Sequence, residues 1–328
     1  MTDVALNRGT RRRTSWLLPG VWLVLTIALV AALPFLPWRR AVAEVHRAEV
    51  RWLFAALLAN FAILPLWAAE WTLLAPAISR VPYRRMFEVV AGTGAVLNSI
   101  PFFAGELSAI GLLMSRAGLS SSAALSVLAM DQLLVGVGKL AVLGAAAFSA
   151  PLPPWLRGGI MTLALGVAGL LLALVPLANR WDRVHTRLVA RQSRVRDVLA
   201  HIALWGAHLD ALRDGRRAWR VVLLALAKKA AEVLAVIAVQ IAFGNEPSVS
   251  AALLVVASLG VVTALPVAPA NLGVYEATVF AIYRYLGAAS ETALSLAVVQ
   301  HACFLLPPLA TGYATLTLAQ LTSRRARA

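Results

Sequence analysis

Long apolar stretches, separated by arginine clusters or broken by proline and glycine, set the pattern of this chain. Residues 16–35 form an apolar run of about one bilayer thickness, preceded by Arg8, Arg11, Arg12 and Arg13. The run exceeds the roughly 7–15-residue apolar core of a signal peptide, so it reads as a signal anchor with its N-terminus inside. Further full spans are expected over 52–78, 120–148, 158–177, 221–243 and 292–318. Glu70 falls in the second half of the 52–78 span.

Two other apolar stretches are long enough to enter a membrane but carry a break. Residues 87–114 are interrupted by Asn98-Ser-Ile-Pro101-Phe-Phe-Ala-Gly105-Glu106. Residues 249–286 are interrupted by Pro266-Val-Ala-Pro-Ala-Asn-Leu-Gly-Val-Tyr-Glu276. Proline removes a backbone donor, and hydrocarbon supplies no substitute partner. Broken backbone at membrane depth persists only where protein buries it or water reaches it. Each stretch therefore predicts a hairpin that dips in and returns to the same side. The two breaks are expected to meet and form one polar site.

Composition agrees with a membrane protein. The 328 residues are 60% hydrophobic and 14% charged, with a mean hydropathy of +0.78. Soluble domains carry roughly 25% charged residues. The fold class expected is an all-α integral membrane protein, one membrane domain over 1–328, with about six full spans and two broken hairpins. The net charge is +15. In a soluble protein that would suggest nucleic acid; here arginine gathers in cytoplasmic loops under the positive-inside rule, and no nucleic-acid partner is expected.

That rule places both termini inside. Residues 1–15 form a basic cytoplasmic N-terminus, 16–178 an N-terminal half, 221–320 a C-terminal half and 321–328 a basic tail. Between the halves, 179–220 is the most polar segment. Val195, Val198, Leu199, Ile202, Trp205, Leu209 and Leu212 recur in it at helical spacing, as in an amphipathic helix on the inner surface. It suits either capture of anionic headgroups or an ordinary connection made basic by topology. Arg39, Arg40, Arg47 and Arg51 fall in an outer loop, a local violation of the rule.

The halves echo one another. Residues 118–132, starting at Gly118 and ending Asp131-Gln132, align without gaps to 287–301, starting at Gly287 and ending Gln300-His301, with five identities in fifteen. Each copy follows a Pro/Gly/Glu break at similar distance, and the topology puts the copies on opposite sides. Inverted repeats with broken helices are a mark of secondary transporters, whose site lies between the repeats; two unrelated helical hairpins are the plainer reading.

Glu106, Asp131, Lys139, Lys228, Lys229, Glu232, Glu276, Arg284 and His301 all lie within expected membrane depth. An ionised side chain at the bilayer centre costs at least about 2.5–3.5 kcal/mol, so most must pair or face a cavity. Lys228 and Glu232 are four apart on one helix face, and Asp131 and Lys139 are two turns apart. Either pair suits a structural bridge. The expected cavity is lined by Asn98, Pro101, Gly105 and Glu106 from the first break and by Pro266, Asn271, Gly273 and Glu276 from the second, with Asp131, Gln132, Gln300 and His301. Lys139, Lys228, Lys229, Glu232 and Arg284 are expected to compensate charge around it.

The sequence holds no His-Glu-x-x-His, no nucleophile elbow and no phosphate-binding Gly-x-x-x-x-Gly-Lys loop. Its histidines and the single Cys303 show no metal-ligand spacing. A non-catalytic protein without metal or cofactor is expected.

At Pro101-x-x-x-Gly105-Glu106 with Asp131, and at Pro266-x-x-Pro269-Ala-Asn-Leu-Gly273-Val-Tyr-Glu276-Ala, the chain resembles the flippase-like membrane-domain family, also called the lysylphosphatidylglycerol synthase transmembrane-region family. The resemblance covers roughly 16–320. It implies movement or handling of a lipid across the bacterial inner membrane. Better-known members carry a cytosolic aminoacyl-transfer domain; none stands in these 328 residues, so lysyl-lipid synthesis is not expected. The chain departs from the family pattern at Phe103, Ala109 and Gln132, where arginine is frequent.

Three functions fit the residues. The first is a lipid translocase of the bacterial inner membrane, with membrane lipid, an anionic headgroup among the candidates, and the bilayer itself as partners. The second is an ion- or proton-coupled transporter of a small solute. The third is a non-transporting scaffold for a lipid- or glycan-modifying enzyme.

Overall fold

A computed structural model describes residues 37–76, 79–100, 104–149, 151–156, scattered positions between 158 and 169, 215–263 and 268–325. The expected first span at 16–35, most of the span at 158–177, the linker up to 214 and the prolines Pro101 and Pro266 lie outside the described residues.

The described elements are helical. In chain order the main ones are α1 (Trp38–Arg47), α2 (Val50–Leu74), α3 (Tyr83–Leu97), α4 (Ala104–Ser115), α5 (Ser121–Ser149), α6 (Gly215–Ala242), α7 (Val249–Val262), α8 (Val274–Tyr285) and α9 (Ser290–Arg325). By length and composition, α2, α5 and the Ser290–Leu318 part of α9 can each cross a membrane. The helices of the two interrupted stretches cannot. The α3/α4 pair measures 15 and 12 residues and the α7/α8 pair 14 and 12, against about 20 needed to span.

The buried apolar residues form two clusters. One joins the second half of α2 with α3, α4, the first half of α5 and the start of α6. The other joins Ala56 near the start of α2 with the ends of α5 and α6 and with α7, α8 and α9. Thus α2, α5 and α6 run through both clusters, and the two broken pairs pack at opposite ends of them. Helices α2 and α6 are antiparallel and tied at each end. The Glu49 N–H donates to the Ala242 carbonyl at 2.8 Å. At the other end, the Arg217 guanidinium donates to the carbonyls of Leu73 and Ala75, which the end of α2 leaves without helical donors.

The aligned stretches share local conformation. Gly118 and Gly287 both take positive φ, at 70° and 90°. The helices that follow, α5 and α9, start at the aligned serines Ser121 and Ser290. Further along, the aligned Ser126 and Ser295 each donate to the carbonyl four residues back.

Two expectations change. The outer loop at 36–51 holds α1, whose Ala41 carbonyl accepts from Ser295 Oγ at 3.1 Å and whose Glu44 accepts from Thr292 at 3.1 Å. Its arginines Arg39, Arg40 and Arg47 are exposed. The helix expected from 221 already runs from Gly215, so 215–220 of the expected linker belong to α6, where Arg217 meets the end of α2.

Candidate functional site

The second break is described from Ala268 onward. Pro269–Asn271 makes a single turn of 3₁₀ helix, with Ala270 at φ 52° and Asn271 at φ 55°. Left-handed backbone costs an alanine roughly 1–2 kcal/mol, so surrounding contacts must impose it. They are visible. His301 Nε2 lies 2.9 Å from the Ala270 carbonyl, and His301 Nδ1 lies 2.8 Å from Glu276 Oε1. The other Glu276 oxygen accepts the Gly273 N–H at 2.7 Å, closing the N-terminus of α8. The Tyr275 ring stacks on His301 with centroids 4.1 Å apart and planes 6° from parallel. Gln300 donates to the Tyr275 hydroxyl at 3.1 Å. The polar pair Gln300-His301 therefore clamps the break from α9, and both side chains are buried.

Beside the clamp lies a cavity of about 110 Å³, lined by Asn60, Lys139, Lys229, Glu232, Thr263, Asn271, Tyr275 and Gln300 with an apolar remainder from α6, α7 and α9. Lys229 is satisfied by Glu232, at 2.6 and 2.8 Å from its two oxygens. Lys139 has no acidic partner among the described residues, and its stem packs against Gly260. Asn271 Oδ1 and Gln300 Oε1 are buried without hydrogen-bond partners among the described residues. The cavity thus carries one ammonium without an ion pair among the described residues, and two unused amide oxygens.

Lys228, the residue before Lys229 on α6, faces a different way. Its Nζ is 2.9 Å from Glu70 Oε1 and 3.7 Å from Asp131 Oδ1. Asp131 Oδ1 also accepts from the indole N–H of Trp67 at 2.9 Å and of Trp71 at 2.8 Å. The anticipated bridges Lys228 with Glu232 and Asp131 with Lys139 do not form. Neighbouring lysines on a helix point about 100° apart, so one meets α2 and α5 while the other meets the cavity. Glu70, noted in the 52–78 span, was not among the expected site residues, although an acid in an apolar span was a sufficient signal.

The first break is arranged differently. Asn98 donates to the Gly94 carbonyl of its own helix at 2.8 Å. Gly105 allows α4 to touch Leu97: a Cβ there would come within 2.7 Å of Leu97 Cδ2 and 3.0 Å of its Cα. Glu106 Oε2 is buried with no hydrogen-bond partner among the described residues. Ser99 bonds the Tyr313 hydroxyl on α9 at 2.6 Å. Both breaks therefore touch α9, but His301 and Tyr313 are 12 residues apart, about 18 Å along the helix. Asn98, Gly105 and Glu106 are not among the cavity residues. Gln132 is exposed, and exposed Arg284 donates to the Ala288 carbonyl in the turn that follows α8, away from the cavity.

The sequence profile of the lysylphosphatidylglycerol synthase TM region matches residues 11–312. The chain belongs to that family. None of the curated proteins matches it. Membership makes this a membrane protein of a lipid-related family, and the clamped break, the cavity and the buried Lys228 cluster all lie within the matched region.

Proposed function

We propose that the protein is a lipid translocase of the bacterial inner membrane, without catalytic activity, and that the cavity at the second break receives the polar headgroup. The observation that carries this reading is Lys139, a cation at membrane depth with no acid partner among the described residues, facing a cavity walled by broken backbone. Such a charge is costly unless a ligand or water meets it. An oxyanion on a headgroup answers the ammonium, and headgroup hydroxyls answer the amide oxygens of Asn271 and Gln300.

The packing of the α3/α4 and α7/α8 pairs at opposite ends of α2, α5 and α6 supports an inverted repeat whose hairpins enter from opposite sides. The shared conformations at Gly118 and Gly287 support it further. With both termini cytoplasmic, the first hairpin opens inward and the second outward. A headgroup held at the second break then has a path along α9 toward the first.

The test is movement of a fluorescent phospholipid between leaflets of liposomes holding the purified protein. Translocation above empty liposomes, lowered by Lys139→Met, is the expected result. Rates equal to those of empty liposomes for both anionic and zwitterionic lipid would overturn the reading.

A further inference from the structure

His301 faces two acceptors at once. The Ala270 carbonyl, 2.9 Å from Nε2, cannot donate, so Nε2 carries a hydrogen. The 2.8 Å contact between Nδ1 and Glu276 Oε1 then needs a second hydrogen. It sits on Nδ1, giving imidazolium beside carboxylate, or on Oε1, giving a carboxylic acid beside a neutral ring. Either way the pair holds one proton more than a neutral imidazole plus a carboxylate.

We propose that Glu276 and His301 form a proton-binding site, and that the bound proton locks the second break against α9. Removal of the proton leaves one ring hydrogen for two acceptors. Either the Ala270 carbonyl or the Glu276 carboxylate then faces a nitrogen lone pair, and that contact turns from attractive to repulsive. The backbone so released includes the left-handed residues Ala270 and Asn271, which relax when nothing holds them. Asn271, Tyr275 and Gln300 all line the cavity, so loosening the clamp loosens the cavity wall. Glu276 is the route for the proton: its side chain is 24% exposed and that of His301 only 2%.

From α8, Glu276 and Tyr275 face the imidazole. Across the cavity, α6 presents Lys229 and Glu232, already paired with each other, α5 presents Lys139, and α2 presents Asn60. Helix α1 meets α9 through Arg40 with Glu291 and Glu44 with Thr292, more than two turns away. Helix α3 carries Arg84 and Glu88, paired at the surface, and Arg85, also exposed.

This lock adds a coupling ion to the cavity of the proposed translocase, and it is read without any lipid movement, so the two can fail separately. In the full chain with Cys303→Ala, Thr263→Cys puts one thiol on the cavity wall at the edge of the break. Its labelling by a water-soluble maleimide in liposomes is followed from about pH 5 to 9, relative to the exposed Glu246→Cys, which corrects for thiol ionisation. The expected ratio rises with pH by up to about tenfold per unit, the limit for one proton. His301→Gln, whose amide donates to Ala270 and does not titrate, is expected to give a flat, low ratio. A flat ratio with His301 present, or an equal rise in His301→Gln, overturns the lock. Nitrogen-15 NMR of histidine-labelled, unsubstituted protein gives a second reading. The His301 signals, identified by their loss in His301→Gln, shift over the same pH interval if the lock exists; signals constant throughout overturn it.

Discussion

Lys228 Nζ and Glu70 Oε1 lie 2.9 Å apart, joining residues 158 apart in sequence at a point where both side chains are almost wholly buried. Asp131 shares the same ammonium, and its Oδ1 takes two indole hydrogens as well. This cluster ties α2, α5 and α6 together within the first apolar cluster, beside Trp71, Met130 and Leu133. Cutting a buried ion pair on one side leaves an unpaired charge, at a cost of roughly 3–5 kcal/mol. Lys228→Met is therefore expected to lower the melting temperature in detergent sharply. Lys228→Met with Glu70→Gln, which removes one of the stranded acids, should recover part of the loss. A single substitution with unchanged melting would show that the cluster is not a structural tie.

The two tryptophans test the same cluster from its other side. Trp67 and Trp71 both donate to one oxygen of Asp131. Replacing either by phenylalanine keeps most of the ring and removes one hydrogen bond, worth about 1.5–3 kcal/mol when the acceptor is charged. Because they share an acceptor, the losses should not add. The double substitution is expected to cost more than the sum, since Lys228 is then the one cation left against Asp131 Oδ1 among the described residues. Additive losses across the double-mutant cycle would argue that each indole acts alone.

Where α9 crosses α3, Gly312 is needed for space. A Cβ at that position would fall 2.3 Å from the Ala91 carbonyl oxygen and 2.4 Å from Ala95 Cβ. Neither obstacle is the end of a flexible side chain, so the helices must part. Gly312→Ala is expected to destabilise by about 1–3 kcal/mol, the usual cost of overfilling a packed contact. Ala at Gly111, which meets nothing, serves as the matched control. Equal melting temperatures for the two would contradict the close crossing.

Much of this architecture was written in residue types. The apolar runs marked α2, α5, α6 and α9, because a membrane leaves the backbone few choices. Proline, glycine and glutamate marked where each short pair is broken, and Glu276 with Gln300 and His301 does gather at the second break. What escaped was partner choice. Whether Lys228 meets Glu232 or Glu70 depends on which face of α6 turns toward α2, a tertiary fact that spacing along one helix does not contain. The same limit applied to Asn98 and Glu106. Residues alike in type at two breaks stand about 12 residues apart along α9 instead of in one cavity. Helix α1 escaped for another reason. It is short, rich in arginine and lacks a side-chain cap, so it carries none of the local signals of a helix start.

The proposed opposite entry of the two hairpins would have a direct chemical consequence. Arg84 and Ser120 flank the first broken pair, and Glu246 and Arg284 flank the second; all four are exposed. If each pair dips in and returns, its two flanks share one side of the membrane. If the pairs are inverted, the two sets of flanks lie on opposite sides. Single cysteines at these positions, with Cys303→Ala, are expected to separate cleanly in oriented vesicles. An impermeant maleimide added outside should label one set, and label the other only after the vesicles are opened. A split within either set would mean that its helices together cross the membrane. Labelling of all four from one side would mean that the two ends of the α2, α5 and α6 bundle do not correspond to the two faces of the bilayer.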